Sequence, residues 1–330
     1  MTLPAVTVLA LGGTISSRDT GSGGVAPSLS GEDLVEDVPE IVEVAEVSAT
    51  SLRQVPGSEL NLEDLIELTG EIQAHIEDGT RGVVVTQGTD TIESTAFVLD
   101  LLVDAEAPVV VTGAMRHPSL PGADGPANLL ASVQVAVSEA ARGVGTVIVL
   151  NDEIHAARFV QKTHTSNPAT FRSPLTGPIG WVSEGTPRIA TRPAGRYHVP
   201  LPEETQDRPV ALYAVSLGDD GRLLQAIGQL GYEGLIIEAL GGGHVLSYMA
   251  DPLETLAGEI PVILASRTGS GEVLRDTYGF TGSETDLLSR GLISAGMLDG
   301  PKARLLLSLL LRSGASKEEV TEAFGYFFGG

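Results

Sequence analysis

Seven short apolar runs rich in β-branched residues constrain this chain more than any other feature. They are Ala5–Leu11, Gly82–Thr86, Pro108–Thr112, Thr146–Leu150, Pro209–Val215, Gly234–Ala239 and Pro261–Ala265, and most stop at glycine or a small polar residue. Nearly continuous apolar strands suit a parallel sheet covered on both faces. Between them lie stretches with apolar residues three and four apart, Glu63–Glu77, Thr91–Val103 and Asn128–Ala141, which predict helices. Such alternation implies an α/β fold with a doubly wound, mostly parallel sheet.

At 330 residues the chain is long enough for two domains. A stretch rich in Pro, Arg and Glu begins at Pro187 and reads as a connection. The expected division is a larger N-terminal catalytic α/β domain over 1–190, a linker over 191–208 and a smaller C-terminal α/β domain over 209–330. The second domain is expected to end in an amphipathic helix near Lys317–Phe327.

The formal net charge is −23, from 43 acidic and 20 basic side chains. A surface of that sign repels phosphate backbones and anionic membranes, so neither nucleic acid nor membrane is expected as a partner. Cysteine is absent, which excludes disulfides and thiolate chemistry. Met1–Pro4 lacks a basic segment and an apolar signal core, and the run Leu305–Leu311 is too short for a membrane span. A cytoplasmic location is therefore expected.

Open α/β sheets bind ligands at the carboxyl ends of their strands. That rule points to Gly12-Gly13-Thr14 after the first strand and to Gln87-Gly88-Thr89-Asp90-Thr91 after a later one. Each loop pairs glycine, which allows close backbone approach, with a threonine hydroxyl. A helix is expected to start near Thr91, its amides favouring negative charge. Taken singly, either loop also fits a phosphate-binding or plain strand-to-helix turn. A threonine nucleophile needs a base. Lysines are few, Lys162, Lys302 and Lys317, and on sequence alone Lys162 reads as a solvated lysine. The six histidines show no metal-binding spacing, so neither metal nor cofactor is expected.

Taken together, these segments resemble the bacterial L-asparaginases. Leu9–Ile15 resembles that family's first signature and Val85–Thr91 its second. Gly113–Arg116, Ala123–Asn128 and the Lys162 segment ending in Ala169-Thr170-Phe171 are also similar. The resemblance runs from about residue 6 to the C-terminal helix. It implies hydrolysis of L-asparagine to L-aspartate and ammonia, with a side activity on L-glutamine. It implies Thr14 as primary nucleophile, with Thr89, Asp90 and Lys162 as a second cluster. Ser58 is implied to hold the substrate α-carboxylate, and Glu59 with Asp90 the α-ammonium. Amides at Gly88 and Thr89 are implied as an oxyanion hole. Glu272, six residues before Tyr278-Gly279-Phe280, matches a glutamate supplied by a neighbouring subunit. Self-association as a homotetramer, a dimer of dimers, is implied as well.

This chain departs from the family pattern in three places. The lid region Ser16–Ser30 carries no tyrosine and is rich in glycine (Gly21, Gly23, Gly24). Gln87 replaces a common histidine. Gly241-Gly242-Gly243-His244 stands where an asparagine-bearing loop often occurs. Two other readings stay open: an amidase subunit feeding a tRNA amidotransferase, and a silent amino-acid-binding protein that keeps the fold.

Overall fold

The computed structural model describes residues 2–19, 24–202 and 207–327. It separates into two compact units, Met1–His198 and Val199–Gly330. The mixed α/β architecture, with a large mostly parallel sheet and a smaller C-terminal unit, is the one expected.

In the N-terminal unit the strands are β1 (Ala5–Gly12), β2 (Glu46–Val55), β3 (Gly82–Thr86), β4 (Val109–Thr112), β5 (Thr146–Leu150), β6 (Glu153–Ala156), β7 (Gly180–Ser183) and β8 (Thr186–Ile189). They form one sheet in the order β8-β7-β6-β5-β4-β3-β1-β2. The five strands from β2 to β5 are parallel, and the last three add an antiparallel meander. Strand order within the parallel part is therefore 2-1-3-4-5. It reverses direction at β1, and a crevice opens at such a switch point between β1 and β3.

Helices α1 (Leu62–Glu77), α2 (Ile92–Leu102) and α3 (Gly125–Val137) cover the sheet. Val8, Val84, Val110 and Val147 stand side by side across four strands. They share one core with Leu129, Ala131 and Val133 of α3. Their neighbours Val83, Val85 and Val111 are equally buried on the opposite face, which accounts for the unbroken apolar runs. The helix expected at 128–141 begins instead at Gly125, with Pro126 in its first turn, and ends at Val137 before a separate turn at Glu139–Ala141. Proline in the first turn costs no helical hydrogen bond, because the first amides have no partner within the helix.

Strand β2 did not stand out among the apolar runs. Its residues are Glu-Val-Ser-Ala-Thr-Ser-Leu-Arg-Gln-Val, none fully buried, because it is an edge strand with one neighbour. The stretch expected to be a linker begins on structured ground. Pro187 lies in β8, and Arg192 donates to the carbonyls of Ala140 and Arg142. Arg196 donates to the carbonyls of Val103 and Ala105, closing the C-terminus of α2, and lies 3.5 Å from the buried Asp100. These contacts hold residues 191–198 to the N-terminal unit.

The C-terminal unit has four parallel strands, β9 (Val210–Ala214), β10 (Gly234–Ala239), β11 (Val262–Ser266) and β12 (Ile293–Ser294), in simple sequential order. Helices α4 (Ala250–Glu259), α5 (Gly300–Arg312) and α6 (Lys317–Tyr326) pack with them. The apolar run Leu305–Leu311 is the buried face of α5. Ser316 and Glu319 form a reciprocal cap at the start of α6, which fixes its beginning. This sheet has no reversal of strand order and so no crevice of the kind seen at β1. No helix among the described residues is long and apolar enough to cross a membrane.

Gly70 lies inside α1 with open space where a Cβ would project. Gly70→Ala is therefore expected to raise stability by about 0.5–1 kcal/mol, read as a shift in the urea midpoint. His155 on β6 is buried, with Nδ1 2.9 Å from Ser173 Oγ and Nε2 3.3 Å from Glu153 Oε2. Burial lowers its pKa from the ordinary 6.5, against a smaller upward pull from Glu153. The unfolded chain thus binds the proton more readily than the folded one. Stability is complete above pH 6.5 and is lost as the pH falls through the lowered folded value. Equilibrium unfolding of His155→Asn should show a shallower loss of stability over that acid interval than the parent protein.

Candidate active site

Three loops meet at the switch point, and each contributes a glycine. Gly13 follows β1, Gly57 follows β2 and Gly88 follows β3. A Cβ on Gly88 would sit 2.6 Å from the backbone nitrogen of Gly57, and one on Gly57 would sit 2.8 Å from the carbonyl oxygen of Gly88. A Cβ on Gly13 would penetrate the backbone of Gly88 and lie 2.6 Å from the carbonyl carbon of Gln87. Gly13 also has φ +83° and ψ −171°, a region open essentially to glycine alone. Backbone therefore packs directly on backbone. The residues that follow these glycines are Thr14, Ser58 and Thr89, so the contact brings three hydroxyl-bearing residues to one end of the sheet.

The turn after β1 is tied at the Gly13 carbonyl. It accepts from the Ser16 amide at 3.1 Å, from Ser16 Oγ at 3.0 Å and from Ser17 Oγ at 2.8 Å. Thr14 stands half-buried on this turn. Of the lid region, Ser17–Asp19 pairs with Val25–Pro27 as a short hairpin. Gly21 and Gly23 lie outside the described residues.

Under the second loop a further tier holds Gly88. Thr91 Oγ1 donates to the Gly57 carbonyl at 2.8 Å, and the buried Gln87 donates from Nε2 to Thr91 Oγ1 at 3.2 Å. A Cβ on Gly113 would lie 2.5 Å from the Gln87 carbonyl oxygen. Gly113 is in turn fixed by Asn128, whose Nδ2 donates to the Gly113 carbonyl at 2.9 Å. Asp124 accepts from the amides of Met115 and Arg116 at 3.0 and 2.8 Å. The segments Gly113–Arg116 and Ala123–Asn128 thus act as a brace beneath the loop.

Lys162 reaches this end from a hairpin in which Gln161–Lys162 pairs with Phe171–Arg172. Its Nζ donates to Thr89 Oγ1 at 2.9 Å and to Asp90 Oδ1 at 2.7 Å. The lysine is not a solvated surface group. Its side chain is 15% exposed, against 69% for Asp90. Within the hairpin, Thr163 N donates to the Thr170 carbonyl at 2.9 Å. His164 N donates to Thr170 Oγ1 at 2.7 Å, and Thr170 Oγ1 donates to the His164 carbonyl at 2.6 Å.

Glu93, in the first turn of α2, accepts the backbone N–H of Lys162. Sequence reading passed over Glu93, because an acid in the first turn of a helix is ordinary. Thr91 and Thr170 were likewise present in quoted motifs without a role of their own.

Of the residues singled out from sequence, the structure joins Thr89, Asp90 and Lys162 by direct hydrogen bonds. The glycine contact brings together the loops that carry Thr14, Ser58 and Gly88. Ser58 and Glu59 are exposed on the turn Gly57–Glu59. Glu272 belongs to the C-terminal unit, exposed next to the buried Val273. His244, also in that unit, is engaged internally: its Nε2 lies 3.1 Å from Glu284 Oε2, and its ring meets Tyr278 and Phe280 edge-on. Burial opposes ionisation of Glu284, but the amides of Tyr278 and Thr277 and the imidazole of His244 outweigh it and hold its pKa below the usual carboxylate value.

A pocket of about 340 Å³ opens beside this cluster, lined by Asp90, Lys162, Thr163, His164 and Thr165. A hydroxyl bonded to an amine, a carboxylate that fixes the amine and a second threonine-bearing turn packed on the same loop together suit acyl transfer at a small polar substrate.

Comparison with known proteins agrees with that chemistry. Residues 5–195 match the family model for the asparaginase N-terminal domain, and residues 209–324 the glutaminase/asparaginase C-terminal domain. The L-asparaginase of Bacillus licheniformis is 35% identical, with 97% of this chain and 99% of that protein aligned. L-asparaginase 2 of Escherichia coli strain K12 is 31% identical, over 99% of this chain and 94% of that one. Among solved structures, that of the probable cytoplasmic L-asparaginase of Campylobacter jejuni superposes with a TM-score of 0.88 at 29% identity. It covers 97% of this chain and 99% of that one.

Substitution at the glycine contact separates strain from crowding. Gly13→Ala combines a forbidden backbone region with a clash and should cost about 2–5 kcal/mol. Gly79 also has positive φ but open space around it, so Gly79→Ala should cost only about 1–2 kcal/mol. Denaturant unfolding of the two variants checks the order.

Proposed function

The chain belongs to the bacterial L-asparaginase family and is an asparaginase; from that premise we propose that it hydrolyses L-asparagine to L-aspartate and ammonia through Thr14 and the Thr89–Asp90–Lys162 cluster. The observation that carries this reading is the amine of Lys162 bonded to both Thr89 Oγ1 and Asp90 Oδ1 at the mouth of the switch-point crevice.

In this mechanism Thr14 Oγ1 attacks the side-chain amide carbon and its proton leaves through the neighbouring hydroxyls. Lysine works as a base only as the free amine, so the Thr89–Lys162 hydrogen bond must run in reverse, Thr89 giving its proton to Nζ. Asp90 holds Nζ in place. Backbone amides at Gly88 and Thr89 face the developing oxyanion, a contribution of about 3 kcal/mol for each donor removed in comparable hydrolases. The C–N bond breaks, the nitrogen takes a proton and departs as ammonia. Water then opens the Thr14 ester and releases aspartate.

Ser58 and Glu59 are assigned to the α-carboxylate and α-ammonium, with Asp90 sharing the latter. Glu272 is assigned to the site of a neighbouring copy in a homotetramer built from dimers. L-glutamine, longer by one methylene, is assigned as a slower substrate. The cytoplasmic location is kept as part of this proposal, in line with the name of the Campylobacter jejuni protein.

Thr14→Ala, Thr89→Val and Lys162→Met should each lower ammonia release from L-asparagine by about 10²–10⁴-fold, the usual yield of a positioned proton-transfer group. Coupled assay of ammonia measures this. Parental rates in both threonine variants would remove the mechanism.

A further inference from the structure

His164 lines the same pocket as Lys162 and Asp90, on the exposed tip of the hairpin. Its Nδ1 accepts two backbone N–H groups, from Ser166 at 3.0 Å and Asn167 at 3.1 Å. A nitrogen that accepts two hydrogen bonds cannot also carry a proton. The neutral ring therefore keeps its hydrogen on Nε2. With Nδ1 occupied and Nε2 protonated, the imidazole has no free lone pair and is unfit as a general base. What remains is one donor on a rigid mount, since Thr170 bonds both the N–H and the carbonyl of the same residue.

We propose that His164 is a specificity-determining residue of the asparagine site, donating Nε2–H to an oxygen of the bound amino-acid amide. The inference rests on the asparaginase reading, with the substrate amide reaching the pocket that Asp90, Lys162 and His164 line together. A short zwitterionic amide offers carboxylate and carboxamide oxygens as acceptors. A cationic donor at this position would compete with Lys162 for the Asp90 carboxylate, which Lys162 Nζ contacts at 2.7 Å. A neutral donor binds the substrate oxygen and leaves that pair intact.

The plain alternative is that His164 only shapes its turn. Asparagine separates the two, because its side-chain oxygen can accept the same turn amides while falling short of the pocket. His164→Asn should keep the parental melting temperature. It should raise KM for L-asparagine about tenfold, with kcat within about twofold, as expected for one lost hydrogen bond. Independently of turnover, ¹⁵N-histidine NMR, assigned with the same variant, should show the Nε2–H tautomer at this residue. Those resonances should move when L-aspartate saturates the protein. An unchanged KM in His164→Asn, an Nδ1–H tautomer, or resonances indifferent to L-aspartate would each overturn the proposal. Failure of the parent protein to release ammonia from L-asparagine would instead sink the functional reading, and the tautomer and titration would still decide the role of His164.

Discussion

The contact among Gly13, Gly57 and Gly88 is the constraint on which the site depends. No side chain fits between these loops, and the first of them also needs a backbone conformation that only glycine adopts readily. Close backbone approach forfeits the apolar burial that larger residues would give. It gains a fixed spacing for the next residue along each loop. Thr14, Ser58 and Thr89 lie on loops that are held together because the glycines before them touch. The bracing contacts of Thr91, Gln87, Gly113 and Asn128 make that spacing stiff from below.

The two sheets show why chemistry gathers in one place. The first is mostly parallel and the second wholly so, both carry glycine-bearing loops, and both are packed by helices. Only the N-terminal sheet reverses its strand order, placing consecutive loops on either side of β1. In the C-terminal sheet the strands run on in sequence, and the glycine-rich turn Gly241–Gly243 leads to a histidine already satisfied by Glu284. Similar loop composition thus has a different outcome, decided by topology rather than by residue type.

Legibility in the sequence follows burial. Strands such as Gly82–Thr86 are enclosed on both faces, so their residues are uniformly apolar and declare themselves. Edge strand Glu46–Val55 is half wet, and its mixed composition hides it. The threonine loops were legible because glycine is required there by close approach, and helix α6 because Ser316 and Glu319 cap it. In the sequence, Lys162 is placed beside Thr89 and Asp90 by resemblance alone; neither composition nor periodicity reaches it, since its position depends on a hairpin closed by Thr170 and on the bond its backbone N–H donates to Glu93, 69 residues away along the chain. The stretch after Pro187 looked like a connection because it is polar. Arg192 and Arg196 are in fact spent on carbonyls of the N-terminal unit, a use that composition does not distinguish from solvation.

The segment from Gln161 to Arg172 closes on itself through Thr163, His164 and Thr170, and only its base carries the amine. It behaves as a cassette: the exposed residues of the tip can be exchanged while the Lys162 amine stays in register with Thr89. Under the role proposed for His164, exchanges along that tip alter what meets the substrate and leave the Lys162 contacts with Thr89 and Asp90 in place.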